Sequence, residues 1–144
     1  MQDNKFVILV SEDDPAIRSL VSAVLTRFGH IVIEASEGYV AFQLYRMNAN
    51  IIDLVLTDVN CDLGGGVDGP KLIRAIIALN NALGRNPVPV VFMTGDPGRY
   101  AYADLKDLSK NEVLLKAFTT KELIGAVHAV LLGQFTKALV AVAS

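Results

Sequence analysis

Five short runs of aliphatic and β-branched residues, each followed by a longer stretch of helical periodicity, constrain this chain more than any other feature. The runs fall at 6–10, 31–33, 51–56, 88–93 and 113–115, a (βα)5 alternation. The first helix is the clearest. Ile17, Leu20, Val21, Val24, Leu25 and Phe28 recur at i, i+3, i+4, i+7, i+8 and i+11 and make one apolar face. Asp14 is placed to cap it, Pro15 to open it and Gly29 to let the chain leave it. A second helix, near 37–48, carries Ala41, Leu44, Tyr45 and Asn48 at the same spacing, and a third, near 69–83, carries Leu72, Ile73, Ile76, Ile77 and Leu83. The fifth, from about 120, carries Leu123, Ile124, Val127, Val130 and Leu131 behind a Thr119–Glu122 capping box. The fourth, near 99–108, has the weakest pattern and is the element expected to move. Strands joined by helices imply right-handed crossovers and helices on both faces of a parallel sheet. The fold class expected is therefore α/β, a doubly wound five-stranded parallel sheet in the order 2-1-3-4-5. In that order the first and third strands are neighbours, at the point where ligands bind beyond the strand ends.

Composition narrows the function. With 144 residues, 52% of them hydrophobic, the chain is one domain in size and can bury a substantial core. A net charge of −2, with 13 basic residues spread thinly, gives no basic stripe, which argues against direct nucleic-acid binding and for a protein partner. The single cysteine, Cys61, allows no internal disulfide, and with two histidines it does not furnish a zinc site of the usual spacing. The stretch Met1 to Lys5 lacks the apolar core of a secretory signal, and no apolar run reaches the length of a membrane span. A soluble, cytoplasmic protein without membrane insertion is expected.

Three of the strand-type runs end in charge. Glu12, Asp13 and Asp14 follow the run 6–10, Asp58 follows Leu54 to Thr57, and Lys116 follows Val113 to Leu115. In a parallel sheet those ends share one rim, which gathers several carboxylates and one ammonium. Carboxylates about 4 Å apart repel by roughly 4 kcal/mol at an effective dielectric near 20, so the cluster is best tolerated around a divalent cation. An all-oxygen ligand set suits Mg2+.

Five segments carry a family resemblance: Val-Ile-Leu-Val-Ser-Glu-Asp-Asp-Pro-Ala-Ile-Arg (7–18), Leu-Thr-Asp-Val-Asn (56–60), Gly-Gly-Gly-Val-Asp-Gly (64–69), Val-Val-Phe-Met-Thr-Gly (90–95) and Leu-Lys-Ala-Phe-Thr-Thr-Lys-Glu-Leu (115–123). Together they resemble the receiver domain of bacterial two-component response regulators. The resemblance spans about residues 5–132, in order and at the right ends of elements, and leaves 133–144 as a C-terminal extension with a helical pattern. It implies a flavodoxin-like, CheY-like fold that accepts a phosphoryl group from the phosphohistidine of a sensor histidine kinase or phosphotransfer protein.

By that resemblance Asp58 is the phosphoacceptor, and its chemistry agrees, because a carboxylate at a strand end can attack phosphorus to give an aspartyl phosphate. The plainer reading is a solvated strand-end or capping aspartate. Glu12 and Asp13 match the acid pair that holds Mg2+, Asp13 directly and Glu12 directly or through water. A solvated turn stabilised by the helix dipole is the alternative, and it suits Asp14, the cap. Asn60 offers its backbone carbonyl as a further metal ligand, and its side chain resembles the position that tunes phosphoryl lifetime. Thr94 matches the hydroxyl that hydrogen-bonds a phosphoryl oxygen, and Gly95 beside it leaves the site open. Lys116 matches the lysine that pairs with the phosphoryl group. Read singly, Thr94 is an ordinary strand-end threonine and Lys116 a surface lysine. Mg2+ and Lys116 together would neutralise charge on the transferring group.

Three features depart from the family pattern. Ala117 stands where proline usually follows the lysine, commonly after a cis bond; a cis bond costs about 2.5–4 kcal/mol without proline, so either a strained cis bond or a shifted loop is expected. Val113 stands where many receivers carry Tyr, Phe or His, so the aromatic half of a Thr–aromatic switch is absent. The loop from Asn60 to Gly69 is longer than in chemotaxis-type receivers, and Gly64, Gly65 and Gly66 make it flexible. Beyond Gly133, where no output domain fits, Phe135, Ala138, Leu139 and Val142 share one helical face, which either packs on the domain or forms a homodimer or partner surface. His30 and His128 have no sequence neighbour that suggests phosphotransfer and read as structural or surface residues.

The expected function is a stand-alone receiver that takes a phosphoryl group on Asp58 in a Mg2+-dependent reaction, is not an enzyme in its own right, and signals by contact with a downstream protein. The alternative, favoured by Val113 and Ala117, is a pseudo-receiver interaction module not controlled by phosphorylation. A flavin protein fits poorly, because Ser11 to Asp14 is acidic where a phosphate-binding loop needs glycine and free N–H groups. A phosphatase fits poorly as well, because Asn60 leaves no second carboxylate for a general acid.

Overall fold

The computed structural model describes residues 5–60, 66–96 and 100–143, with side chains of the last helix described through residue 133. The alternation resolves as β1 (Val7–Ser11), α1 (Pro15–Arg27), β2 (Ile31–Ala35), α2 (Gly38–Asn48), β3 (Leu54–Asp58), α3 (Gly69–Ala82), β4 (Val90–Thr94), α4 (Tyr102–Ser109), β5 (Leu114–Leu115) and α5 (Thr120–Ala143). All strand pairs are parallel, and the order is β2-β1-β3-β4-β5, as the pattern predicts. Every residue of β3 and β4 is buried, the reason those runs are unbroken aliphatic stretches rather than alternating ones. At the edge, β2 exposes Ile31 and Glu34.

Successive side chains of a strand point to opposite faces, so the sheet divides the core in two. Ile8, Val10, Leu54, Leu56, Val91 and Met93 meet Val21, Val24 and Leu25 of α1 and Leu123, Val127 and Leu131 of α5. On the other face Leu9, Val55 and Phe92 meet Ala41 and Tyr45 of α2, Leu72, Ile73 and Ile76 of α3, and Leu105 of α4. Among the described residues no helix is long and apolar enough to cross a membrane.

The helix ends follow their local chemistry. Asp14 Oδ1 accepts from the backbone N–H of Ala16 at 2.9 Å and of Ile17 at 3.4 Å, Pro15 opens α1, and Gly29 leaves it at φ +92°. The Thr119–Glu122 box is reciprocal: Thr119 N donates to Glu122 Oε1 at 2.8 Å, and Glu122 N to Thr119 Oγ1 at 3.1 Å. The apolar stripes are narrower than their periodicity predicts. Leu20 and Phe28 on α1 and Ile77 and Leu83 at the third helix are exposed, since a helix lying on a sheet buries one face and leaves the margins of its stripe outside. Helix α4 begins at Tyr102, later than expected; residues 97–99 lie outside the described residues, as do Cys61, Gly64 and Gly65 and the side chains of Phe135, Ala138, Leu139 and Val142.

Candidate functional site

Strands β1, β3 and β5 deliver their charged ends to one rim. Ser11 pairs with Thr57, Asp58 with Met93 and Thr94 with Leu115, so the residues after β1, at the end of β3 and after β5 stand on the tips of a continuous sheet. Carboxylate oxygens of Glu12, Asp13 and Asp58 lie within 4.8 Å of one another. Lys116 Nζ lies 2.7 Å from Glu12 Oε1 and 3.4 Å from Asp58 Oδ1. The Lys116 backbone N–H donates to Thr94 O at 2.9 Å, and the Lys116–Ala117 peptide is cis, the form the resemblance implies for proline. A Cβ on Gly95 would meet Lys116 Cβ at 3.7 Å, an ordinary contact, so Gly95 backs the lysine stem.

Burial sets the electrostatics. Glu12 and Thr94 are fully buried and Asp58 nearly so. Desolvation pushes the Glu12 carboxyl up to about 7, against the hydrogen bond from Lys116, which lowers it. Desolvation also raises Asp58 above its ordinary range, opposed by Lys116 and the Asn60 N–H and reinforced by the Asp13 charge. For Lys116 burial acts downward, but the hydrogen bonds and charges of Glu12 and Asp58 outweigh it and raise its pKa. Glu12 Oε2 accepts the Asp14 N–H at 3.1 Å, and buried Oε1 is held by the Lys116 ammonium at 2.7 Å. Three carboxylates whose oxygens lie within 4.8 Å of one another, two of them buried, fit a hard divalent cation such as Mg2+.

Neighbouring loops are tied to the same rim. Thr94 Oγ1 donates to Asp96 O at 2.7 Å and accepts from Asp96 N at 3.1 Å, and the Asn60 side chain donates to Asp96 O at 3.1 Å. Asp68 caps α3 by accepting from Lys71 N at 3.0 Å, and a Cβ on Gly69 would overlap the Asp58 carbonyl oxygen. Contacts of Arg18, Tyr100 and the two histidines are not foreseen from the sequence. Arg18 Nη1 donates to Glu12 O at 2.8 Å, with its Nε 3.5 Å from Glu34 Oε1, so α1 braces the acidic turn. The Tyr100 hydroxyl donates to Asp68 Oδ2 at 2.5 Å. On the far side of the fold, His30 and His128 meet with their Nε2 atoms 3.0 Å apart.

A family model described as the response regulator receiver domain matches residues 8–128. The chain is 29% identical over 122 residues to the CAI-1 autoinducer sensor kinase/phosphatase CqsS of Vibrio cholerae, a match covering 85% of this chain but only 17% of that protein. It is 26% identical over 117 residues to a chemotaxis protein CheY homologue of Campylobacter jejuni, covering 81% of this chain and 85% of the homologue. A solved response regulator receiver domain protein from Clostridium thermocellum shares the fold with a TM-score of 0.77 at 22% identity, over 91% of this chain and 98% of the other.

Proposed function

This chain belongs to the response regulator receiver domain family of two-component signalling, and on that premise we propose that it accepts a phosphoryl group on Asp58. The donor is the phosphohistidine of a sensor histidine kinase or phosphotransfer protein. A carboxylate oxygen of Asp58 forms the new O–P bond as the donor's N–P bond breaks and the imidazole leaves with the electron pair. Lys116, 3.4 Å from Asp58 Oδ1, pairs with the transferred group, and Thr94 supplies a hydroxyl donor from the neighbouring strand. The carboxylates of Glu12, Asp13 and Asp58 and the backbone carbonyl of Asn60 would hold Mg2+, which supplies positive charge against that of the phosphoryl oxygens. Output is contact with a downstream protein.

The observation that carries this reading is the meeting of one ammonium and three carboxylates at the tips of separate strands. Incubation with Mg2+ and acetyl phosphate is expected to add one acid-stable, hydroxylamine-labile phosphoryl group to the intact chain and none to Asp58→Asn. No gain in mass, or the same gain in the variant, contradicts the reading.

A further inference from the structure

The Thr94 hydroxyl has one proton, and it is committed away from Asp58. Thr94 Oγ1 gives it to Asp96 O at 2.7 Å and takes the Asp96 N–H at 3.1 Å, closing a small turn at the tip of β4. The same Asp96 carbonyl accepts from Asn60 Nδ2 at 3.1 Å, which ties the turn to the end of β3. Further along the connection to α4, half-buried Tyr100 donates its hydroxyl to Asp68 Oδ2 at 2.5 Å, the length of a charge-assisted bond. Asp68 is itself fixed. It is 1% exposed, its Oδ1 caps α3 through Lys71 N, and the next residue, Gly69, is pressed against the backbone of Asp58. Asp96 and Tyr100, four positions apart in the chain, are thus each tied to structure that abuts Asp58.

We propose that Tyr100 is a positioning residue for Thr94: by fastening the connection to Asp68 it keeps Asp96 where it holds the Thr94 proton, and so restrains phosphorylation of Asp58. This role presupposes Asp58 as the phosphoacceptor. For Thr94 to donate to a phosphoryl oxygen it must leave Asp96 O, and the Asp96 N–H must share or lose its acceptor. With Tyr100 held at Asp68, four positions along the chain, Asp96 is less free to make the shift that would re-satisfy those groups. Linkage makes the effect reciprocal, so a phosphoryl group on Asp58 weakens the Tyr100–Asp68 bond as much as that bond disfavours the phosphoryl state.

The test compares the full chain with Tyr100→Phe, which keeps the ring and loses the donor, during incubation with Mg2+ and acetyl phosphate. Tyr100→Phe is expected to incorporate the phosphoryl group at least about threefold faster. Asp68→Asn, which retains an acceptor for the Lys71 N–H, is expected to be faster too and carries the same comparison independently of how Tyr100→Phe folds. In a Thr94→Ala background the acceleration disappears, a dependence that a general loosening of the fold does not produce. Equal or slower incorporation by both single variants, or an acceleration that survives Thr94→Ala, overturns the role of Tyr100 while leaving Asp58 as acceptor. Absence of incorporation by the unsubstituted chain overturns the phosphoacceptor reading and this role with it.

Discussion

Glu12 and Lys116 set the charge of the site together, and the pH dependence of stability follows from them. Burial raises the Glu12 carboxyl to about 7 in the folded chain, above the ordinary glutamate value, so over that window the folded form binds the extra proton. Its contribution is complete below the ordinary value and is lost as pH rises through about 7. Mg2+ held by these carboxylates would need them ionised and would reverse this trend. Thermal denaturation is therefore expected to show a larger stabilisation by Mg2+, relative to EDTA, at pH about 8 than at pH about 6; equal shifts at both would contradict the assignment. Glycine contacts give a second residue-scale test. Gly69→Ala drives a Cβ into the Asp58 carbonyl and is expected to cost about 1–3 kcal/mol in urea unfolding. Gly95→Ala meets only the lysine stem and is expected to stay within about 0.5 kcal/mol. The acids and the lysine were legible in the sequence because each directly follows an aliphatic run. Arg18 on the Glu12 carbonyl and Tyr100 on Asp68 were not, because a side chain's partner across the fold leaves no local pattern.

At the scale of elements, the histidine pair joins the turn after α1 to the last helix. Phe6 N donates to His30 Nδ1 at 3.3 Å, which makes that nitrogen the unprotonated one. The proton on His30 Nε2 then points to His128 Nε2 at 3.0 Å; a second proton on His30 must go to Nδ1, where it opposes the Phe6 N–H, and one on His128 Nε2 opposes the His30 proton. Burial, with the His128 charge, lowers the His30 pKa. The unfolded chain therefore takes up this proton first, and the contribution of His30 is present above its ordinary value near 6.5 and lost as pH falls through the folded value. Urea unfolding between pH about 7 and 5 should show a steeper acid loss in the wild type than in His30→Phe; parallel curves would contradict the pairing. The two residues lie 98 positions apart, so neither reads as paired in the sequence. Helical stripes were legible to within their margins: Val21, Val24 and Leu25 are buried, whereas Leu20 and Phe28 depend on how far the neighbouring elements reach.

Over the whole molecule, the strands were legible because a fully buried parallel strand is largely apolar on both faces, as in Leu54–Asp58 and Val90–Thr94, and their order because five strands alternating with helices favour a doubly wound sheet. That order alone brings β1 beside β3 and opens the rim where Glu12, Asp13 and Asp58 meet. The sequence leaves the bond before Ala117 open between cis and a shifted loop, and in the folded chain it is cis. The central claim, that a phosphoryl group is received at this rim, is tested most directly by proteolytic mapping of the chain after incubation with acetyl phosphate. Phosphate transfer at the rim predicts a single hydroxylamine-labile group on Asp58, present with Mg2+ and absent with EDTA. A group on any other residue, or none with Mg2+ present, would contradict it.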